Sequence, residues 1–272
     1  MKIYLLPTSI IIFLFICTGG CTVNKAKIDS SLKKHFDSLK VDGTFALLNN
    51  STGSIVLYNK DLYLQRCLPA STFKIVNALI GLETGRITDT KMIIPWDKVE
   101  RPRKEWNKDL SMEEAFKVSS VPYFQEVARR IGKDTMKRWI DSLHYGNMKI
   151  DGPVDSFWLN NTLKVSPDEQ LGLVKKLYFD KLPFRKDVQQ SVRDVMLQEN
   201  NTLYKWSYKT GAGNDEQKNM VGWMVGWIEE NRHVYFFTML IKTPDNTIDI
   251  QAARLKIGRG ILTQLGFFKG EM

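Results

Sequence analysis

Apolar positions along this chain follow two different spacings. Strand-like runs occur at Gly43 to Leu48 and Ile55 to Asn59 around the turn Ser51-Thr52-Gly53, which predicts an early hairpin. Helical spacing then takes over at Phe73, Val76, Ala78, Leu79 and Ile80, and helical patterns dominate from about 91 to 200. Strand-like runs return at Tyr204 to Thr210, Met220 to Glu229 and His233 to Lys242, with Glu230-Asn231 turning the last pair. A final helix begins near Ile248. Strands and a helix at the ends, enclosing a helical middle, predict an α+β chain. Its antiparallel sheet is flanked by helices, and an all-helical lobe is inserted at about 91–200.

The first twenty residues break this pattern. Lys2 precedes an apolar run from Leu5 to Cys17, shorter than the roughly 20 residues a spanning helix needs, so residues 1–20 read as an export signal ahead of one catalytic domain over 21–272. Export to the periplasm follows. Thr18-Gly19-Gly20 before Cys21 fits ordinary cleavage or lipid attachment at Cys21; the reading leans to a lipoprotein tethered to the membrane, although a leucine-like residue three places upstream is missing. With Cys17 removed and Cys21 acylated, Cys67 alone remains as a thiol, packed beside the helix start, and no internal disulfide is possible.

With 272 residues, 43% hydrophobic and 25% charged, the chain can bury a sizeable core and has no low-complexity tract. The formal net charge is +9, but lysines and arginines are scattered and no aromatic-basic motif accompanies them, which argues against a nucleic-acid partner. His35, His144 and His233 are far apart and lack paired cysteines, so no metal site is expected.

The chemistry begins at Ala70-Ser71-Thr72-Phe73-Lys74. A serine at a helix start has an amide N–H free to donate, and a lysine three residues on lies on the same face. Held in apolar surroundings, that lysine can lose its charge and serve as a base or its precursor. S-x-x-K also occurs at Ser30 to Lys33 and Ser31 to Lys34, in a charged stretch where serine most simply caps a helix and lysine is solvated. Two further motifs give Ser71 its context. Ser119-Ser120-Val121 follows the amphipathic stretch at 110–118, and Lys209-Thr210-Gly211-Ala212 closes a strand-like run. An ammonium and a hydroxyl side by side can hold an anionic group, Gly211 lets a ligand lie against the backbone, and Ala212 offers a second oxyanion donor. Lys242-Thr243-Pro244 copies two of these residues but reads as a turn.

From about residue 25 onward the chain resembles the serine β-lactamase and penicillin-binding superfamily, and within it the class D β-lactamases. The resemblance rests on S-x-x-K at Ser71 to Lys74, S-x-V at Ser119 to Val121, Y-G-N at Tyr145-Gly146-Asn147 and K-T-G at Lys209 to Gly211, in that order. Val121 departs from the asparagine of the class A enzymes and most penicillin-binding proteins, and no class A glutamate base is recognisable.

The resemblance implies a site between two lobes and a mechanism. Lys74 would carry a carbamate formed from carbon dioxide or bicarbonate, with apolar Phe73 and Val121 as walls and Trp158 as a donor, and would act as general base in acylation and deacylation. Ser71 would attack the β-lactam carbonyl against the N–H groups of Ser71 and Ala212. Ser119 would relay a proton to the lactam nitrogen, while Lys209, Thr210 and Arg254 hold the substrate carboxylate. Arg254 is preferred to Arg259 from its spacing after the last strand, with one of the two read as ordinary surface charge. Tyr145-Gly146-Asn147 is read as structural support at the pocket edge. The competing reading is a penicillin-sensing or trapping module acylated at Ser71 without turnover, against which stands the lack of spanning sensor helices and of a protease domain. A D,D-peptidase is disfavoured by Val121. Substrate ranking and dimerisation stay open.

Overall fold

The computed structural model describes residues 26–269. The elements are, in order, β1 (Ala26–Ile28), α1 (Lys33–Asp37), β2 (Asp42–Asn49), β3 (Ile55–Tyr58), α2 (Lys60–Leu64), α3 (Lys74–Glu83), β4 (Ile93–Ile94), β5 (Leu110–Ser111), α4 (Met112–Lys117), α5 (Val121–Ile131), α6 (Lys133–Leu143), α7 (Pro167–Tyr178), α8 (Lys186–Met196), β6 (Leu197–Asn200), β7 (Tyr204–Asn214), β8 (Met220–Glu230), β9 (His233–Thr243) and α9 (Ile250–Gln264). The expected export signal at 1–20, with Cys17 and Cys21, lies outside the described residues. Among those residues no helix is long and apolar enough to cross a membrane.

Seven strands form one sheet in the order β1-β3-β2-β9-β8-β7-β6. Every pairing is antiparallel except β1 with β3, an exposed three-residue edge that the hydrophobic pattern does not reveal. Strands β2, β8 and β9 are buried on both faces. Their alternate residues divide between two cores: Ala46, Trp223, Val225, Trp227 and Leu240 on one face, Phe45, Met224, Ile228, Phe237 and Met239 on the other. The second face is closed by α1 and α9, and the first by the remaining helices. Asn231 and Arg232, both at positive φ (52° and 63°), form the two-residue turn between β8 and β9, as the sheet's twist demands.

Helix starts follow local chemistry. Ser111 with Glu114 and Ser166 with Glu169 form reciprocal capping boxes at α4 and α7. Ser120 caps α5, accepting from Tyr123 N, with Pro122 in the first turn. Ser30 and Ser31 do not cap: Asp29 accepts from Ser31 N at that turn, and Lys33 pairs with Asp37. Helix α3 is buried from Lys74 to Leu82, which its near-continuous apolar composition requires.

Three boundaries differ from expectation. The helical stretch ends at Met196, because Leu197–Asn200 joins the main sheet as β6, and within the stretch β4 and β5 form a small separate ladder. Strand β7 runs on to Asn214, so Lys209-Thr210-Gly211 lies mid-strand rather than closing it. Lys242 and Thr243 end β9 instead of forming a turn, and Lys242 Nζ pairs with Asp215 at 2.8 Å.

Candidate active site

Ser71 sits in a single 3-10 turn, Ala70–Phe73, that runs directly into α3. Cys67 is buried beside this turn and exchanges main-chain hydrogen bonds with Val165; burial pushes its thiol up to about 11. Ala70 takes φ +47°, a left-handed conformation rare outside glycine, and its N–H donates to the Trp158 carbonyl at 3.2 Å. Such strain persists only where the surroundings over-determine it. Here they do. Trp223 Nε1 donates to Leu68 O at 2.8 Å, Thr72 Oγ1 donates to Pro69 O at 2.7 Å, and buried Gln170 donates to Thr72 Oγ1 at 2.6 Å.

Lys74 follows one turn after Ser71. Its Nζ donates to Ser71 Oγ at 2.7 Å and lies 5.8 Å from the Phe124 ring centroid. The side chain is wholly buried, and that burial, with a smaller push from the Arg103 charge, brings its pKa from 10.5 down to about 7. A substantial fraction of neutral amine is therefore present at physiological pH. Phe73 is buried as expected, stacked on Trp158 at 5.1 Å. Val121 is half-buried at the start of α5, and Phe124, three residues on, lays an apolar face over Lys74 Nζ.

Ser119 is at φ +55° between α4 and α5. Because Ser120 spends its hydroxyl on the α5 cap, the Ser119 hydroxyl is left for Lys209, whose Nζ donates to it at 2.9 Å and to Thr210 O at 3.0 Å. Burial, reinforced by the charges of Lys74, Arg254 and Arg103, holds the Lys209 ammonium well below its ordinary pKa.

Strand alternation places Lys209 and Gly211 on one face of β7 and Thr210 and Ala212 on the other. Gly211 opposes Trp223 in register. A Cβ on Gly211 would lie 3.0 Å from Pro69 O and 3.3 Å from Ser71 N, so this strand and the nucleophile's turn meet backbone to backbone. Pairing of β6 with β7 ends at Ser207, which leaves the later part of β7, Ala212 included, as a sheet edge. Arg254 is buried on α9 and donates to Gly211 O at 2.5 Å; burial lowers its pKa to about 10. Arg259, five residues further along, pairs with Glu199 and lies over Trp206 and Phe268, so it is engaged rather than ordinary solvated charge.

Tyr145-Gly146-Asn147 serves the backbone. Gly146, at φ +57°, lets its neighbours approach so closely that a Cβ would sit 2.1 Å from Lys164 O. Asn147 accepts from Lys164 N and donates to Thr162 O. The motif pins the segment that carries Trp158. Trp158 is fully buried, and its Nε1 has no hydrogen-bond partner among the described residues. Among the described residues no cluster of side chains could hold a metal ion.

Sequence reasoning missed Phe124, Gln170, Arg103 and Trp106, none of which lies in a motif. Trp106 Nε1 donates to Val118 O at 3.1 Å, and the Arg103 guanidinium lies over the Trp106 ring at 4.8 Å. A cleft of about 230 Å³ opens between this loop and α5, lined by Trp106, Ser120 and Tyr123 among others. It contains neither Ser71 nor Lys209 and adjoins the site.

The sequence and fold that carry these residues are matched in known proteins. The penicillin binding protein transpeptidase domain model matches residues 43–263. The chain is 40% identical over 206 residues to Beta-lactamase OXA-5 of Pseudomonas aeruginosa, covering 75% of this chain and 77% of that one. The class D β-lactamase FUS-1 (OXA-85) of Fusobacterium nucleatum subsp. polymorphum superposes with a TM-score of 0.84 at 33% identity, over 89% of this chain and 100% of that one. The C-terminal domain of the Bacillus licheniformis BlaR penicillin-receptor gives a TM-score of 0.84 at 30% identity, over 89% and 97%. By sequence, fold and the order of its motifs, the chain belongs to the class D serine β-lactamase family.

Proposed function

We propose that this protein hydrolyses β-lactams through an acyl-enzyme on Ser71. The observation that carries the proposal is the 2.7 Å contact between Ser71 Oγ and Lys74 Nζ, an amine poised near neutrality by complete burial. Lys74 takes the Ser71 proton as Oγ attacks the lactam carbonyl carbon. The charge that develops on the carbonyl oxygen meets the N–H groups of Ser71 and Ala212, a contribution of about 10²–10³ in rate per donor. The carbon–nitrogen bond breaks as Ser119, one hydrogen bond from Lys209, passes a proton to the departing nitrogen. Lys209, Thr210 and Arg254 hold the substrate carboxylate, a bidentate opportunity for the guanidinium. Water then cleaves the ester and restores the Ser71 hydroxyl.

Carbon dioxide fits as a modifier of Lys74. The neutral amine is what carbamate formation requires, and the orphaned Trp158 Nε1 is a buried donor in need of an acceptor. A carbamate on Lys74 supplies an anionic general base for both half-reactions. The apolar run from Leu5 to Cys17 supports export to the periplasm, with Cys21 as the lipid-bearing residue; metabolic labelling with a palmitate analogue, lost in Cys21→Ala, tests the anchor.

A second reading, a penicillin-sensing domain that stays acylated, is favoured by the likeness to the BlaR receptor domain. The deciding experiment mixes the purified protein with excess chromogenic β-lactam. Product that keeps accumulating supports hydrolysis, and product that stops near one equivalent supports the sensor. Intact-mass analysis places the adduct: a full adduct on Ser71→Ala would remove Ser71 from its role.

A further inference from the structure

Gln170 lies outside every motif, but its carboxamide reaches the turn that carries the nucleophile. That turn is held on both sides of Ser71. Before it, Trp223 Nε1 donates to Leu68 O and the Ala70 N–H donates to Trp158 O, at 2.8 and 3.2 Å. After it, Thr72 returns to Pro69 O twice, from Oγ1 at 2.7 Å and from its own N–H at 3.1 Å. A hydroxyl has one hydrogen to donate, and the bond from Gln170 Nε2 at 2.6 Å occupies its acceptor side, so that hydrogen goes to Pro69 O. Gln170 and Thr72 are both fully buried.

Helix α7 gives the amide a fixed base. Its first turn is closed by the Ser166–Glu169 capping box and tied to α2 by Tyr63 Oη, which donates to Asp168 at 2.7 Å. Pro69 O in turn stands 3.0 Å from where a Cβ on Gly211 would lie, so Gln170, through Thr72, bears on how the Ser71 turn meets β7. Gln170 Oε1, equally buried, has no partner among the described residues. A half-satisfied buried amide costs stability, and a methionine of similar length would remove the orphaned oxygen. The side chain contributes geometry rather than stability.

We propose that Gln170 is a positioning residue for acylation, acting through Thr72 to hold the Ser71 hydroxyl and amide against β7. This rests on Ser71 being acylated by β-lactams.

Single-turnover stopped flow with a chromogenic β-lactam separates the non-covalent dissociation constant from the acylation rate constant at saturation. In Gln170→Met the rate constant is expected to fall about tenfold, since a misplacement of about 1 Å can cost a hundredfold, while the dissociation constant stays within about twofold and Tm within about 3 °C. Thr72→Val should lose as much, and Thr72→Ser should recover most of it. The Gln170→Met/Thr72→Val double variant should be no slower than Thr72→Val alone, because both groups act in one relay. Wild-type acylation in Gln170→Met overturns the proposal, as do additive losses in the double variant. A dissociation constant that rises as far as the rate constant falls, or a Gln170→Met protein that does not fold, would make the amide structural and overturns it equally. Each of these leaves the hydrolytic reading intact, whereas failure of wild type to acylate would overturn both.

Discussion

Gly211 and Pro69 approach so closely that a methyl group on the glycine would stand 3.0 Å from the proline carbonyl oxygen and 3.3 Å from the Ser71 amide nitrogen. The spacing between β7 and the turn that carries Ser71 is thus set by a missing side chain. In Gly211→Ala either β7 or the 69–72 turn must give by a few tenths of an ångström. Since a misplacement of about 1 Å can reduce rate a hundredfold, acylation should slow about tenfold. Stopped-flow acylation and a melting curve check this. A variant with wild-type acylation would show that the pocket is not limited by this contact.

Lys74 opposes stability where it serves reactivity. Its folded pKa, about 7, is depressed from 10.5, so the native state binds fewer protons than the unfolded chain between those values and stability rises with pH through that window. Below about 7 the buried ammonium is a full burden. Lys74→Met should lose about 10²–10⁴ in acylation rate while gaining on the order of 0.5–2 kcal/mol in stability, most clearly at pH 6. Urea unfolding at pH 6 and pH 9 measures the difference, and a variant less stable than wild type at pH 6 would contradict the argument.

Trp158 offers a test of the carbamate. Carbon-13 NMR with labelled bicarbonate should show a carbamate resonance in wild type and none in Lys74→Met. Trp158→Phe keeps the stack on Phe73 but removes the orphaned donor. It should need more bicarbonate to reach full activity, and deacylation should slow more than acylation as pH falls. Full activity in carbon-dioxide-free buffer, with no resonance, would make the free amine the base.

Arg254 braces strand β7 from α9. It donates to the Gly211 carbonyl, and losing a buried charged hydrogen bond of this kind costs about 1.5–3 kcal/mol. Arg254→Ala should therefore raise KM, lower kcat and lower Tm together. A rise in KM alone would mean that Gly211 holds its position without help.

The sequence by itself determined the long strands, the buried helix and the four motifs, because each depends on near neighbours. Alternating apolar residues fix which face of β8 meets each core, and Ser71 and Lys74 meet because three residues make one turn. What crosses the chain was decided only by tertiary structure. Arg254 and Arg259 differ little in local sequence, and only the packing of α9 sends one to Gly211 and the other to Glu199. Trp158 reads as any core aromatic until the fold buries its indole N–H without an acceptor. The short edges β1 and β6 gain their main-chain partners from a sheet already formed, so their own composition does not announce them. The left-handed backbones of Ala70 and Ser119 lie beyond local propensity altogether, since alanine and serine take such conformations only when surrounding contacts outweigh the strain.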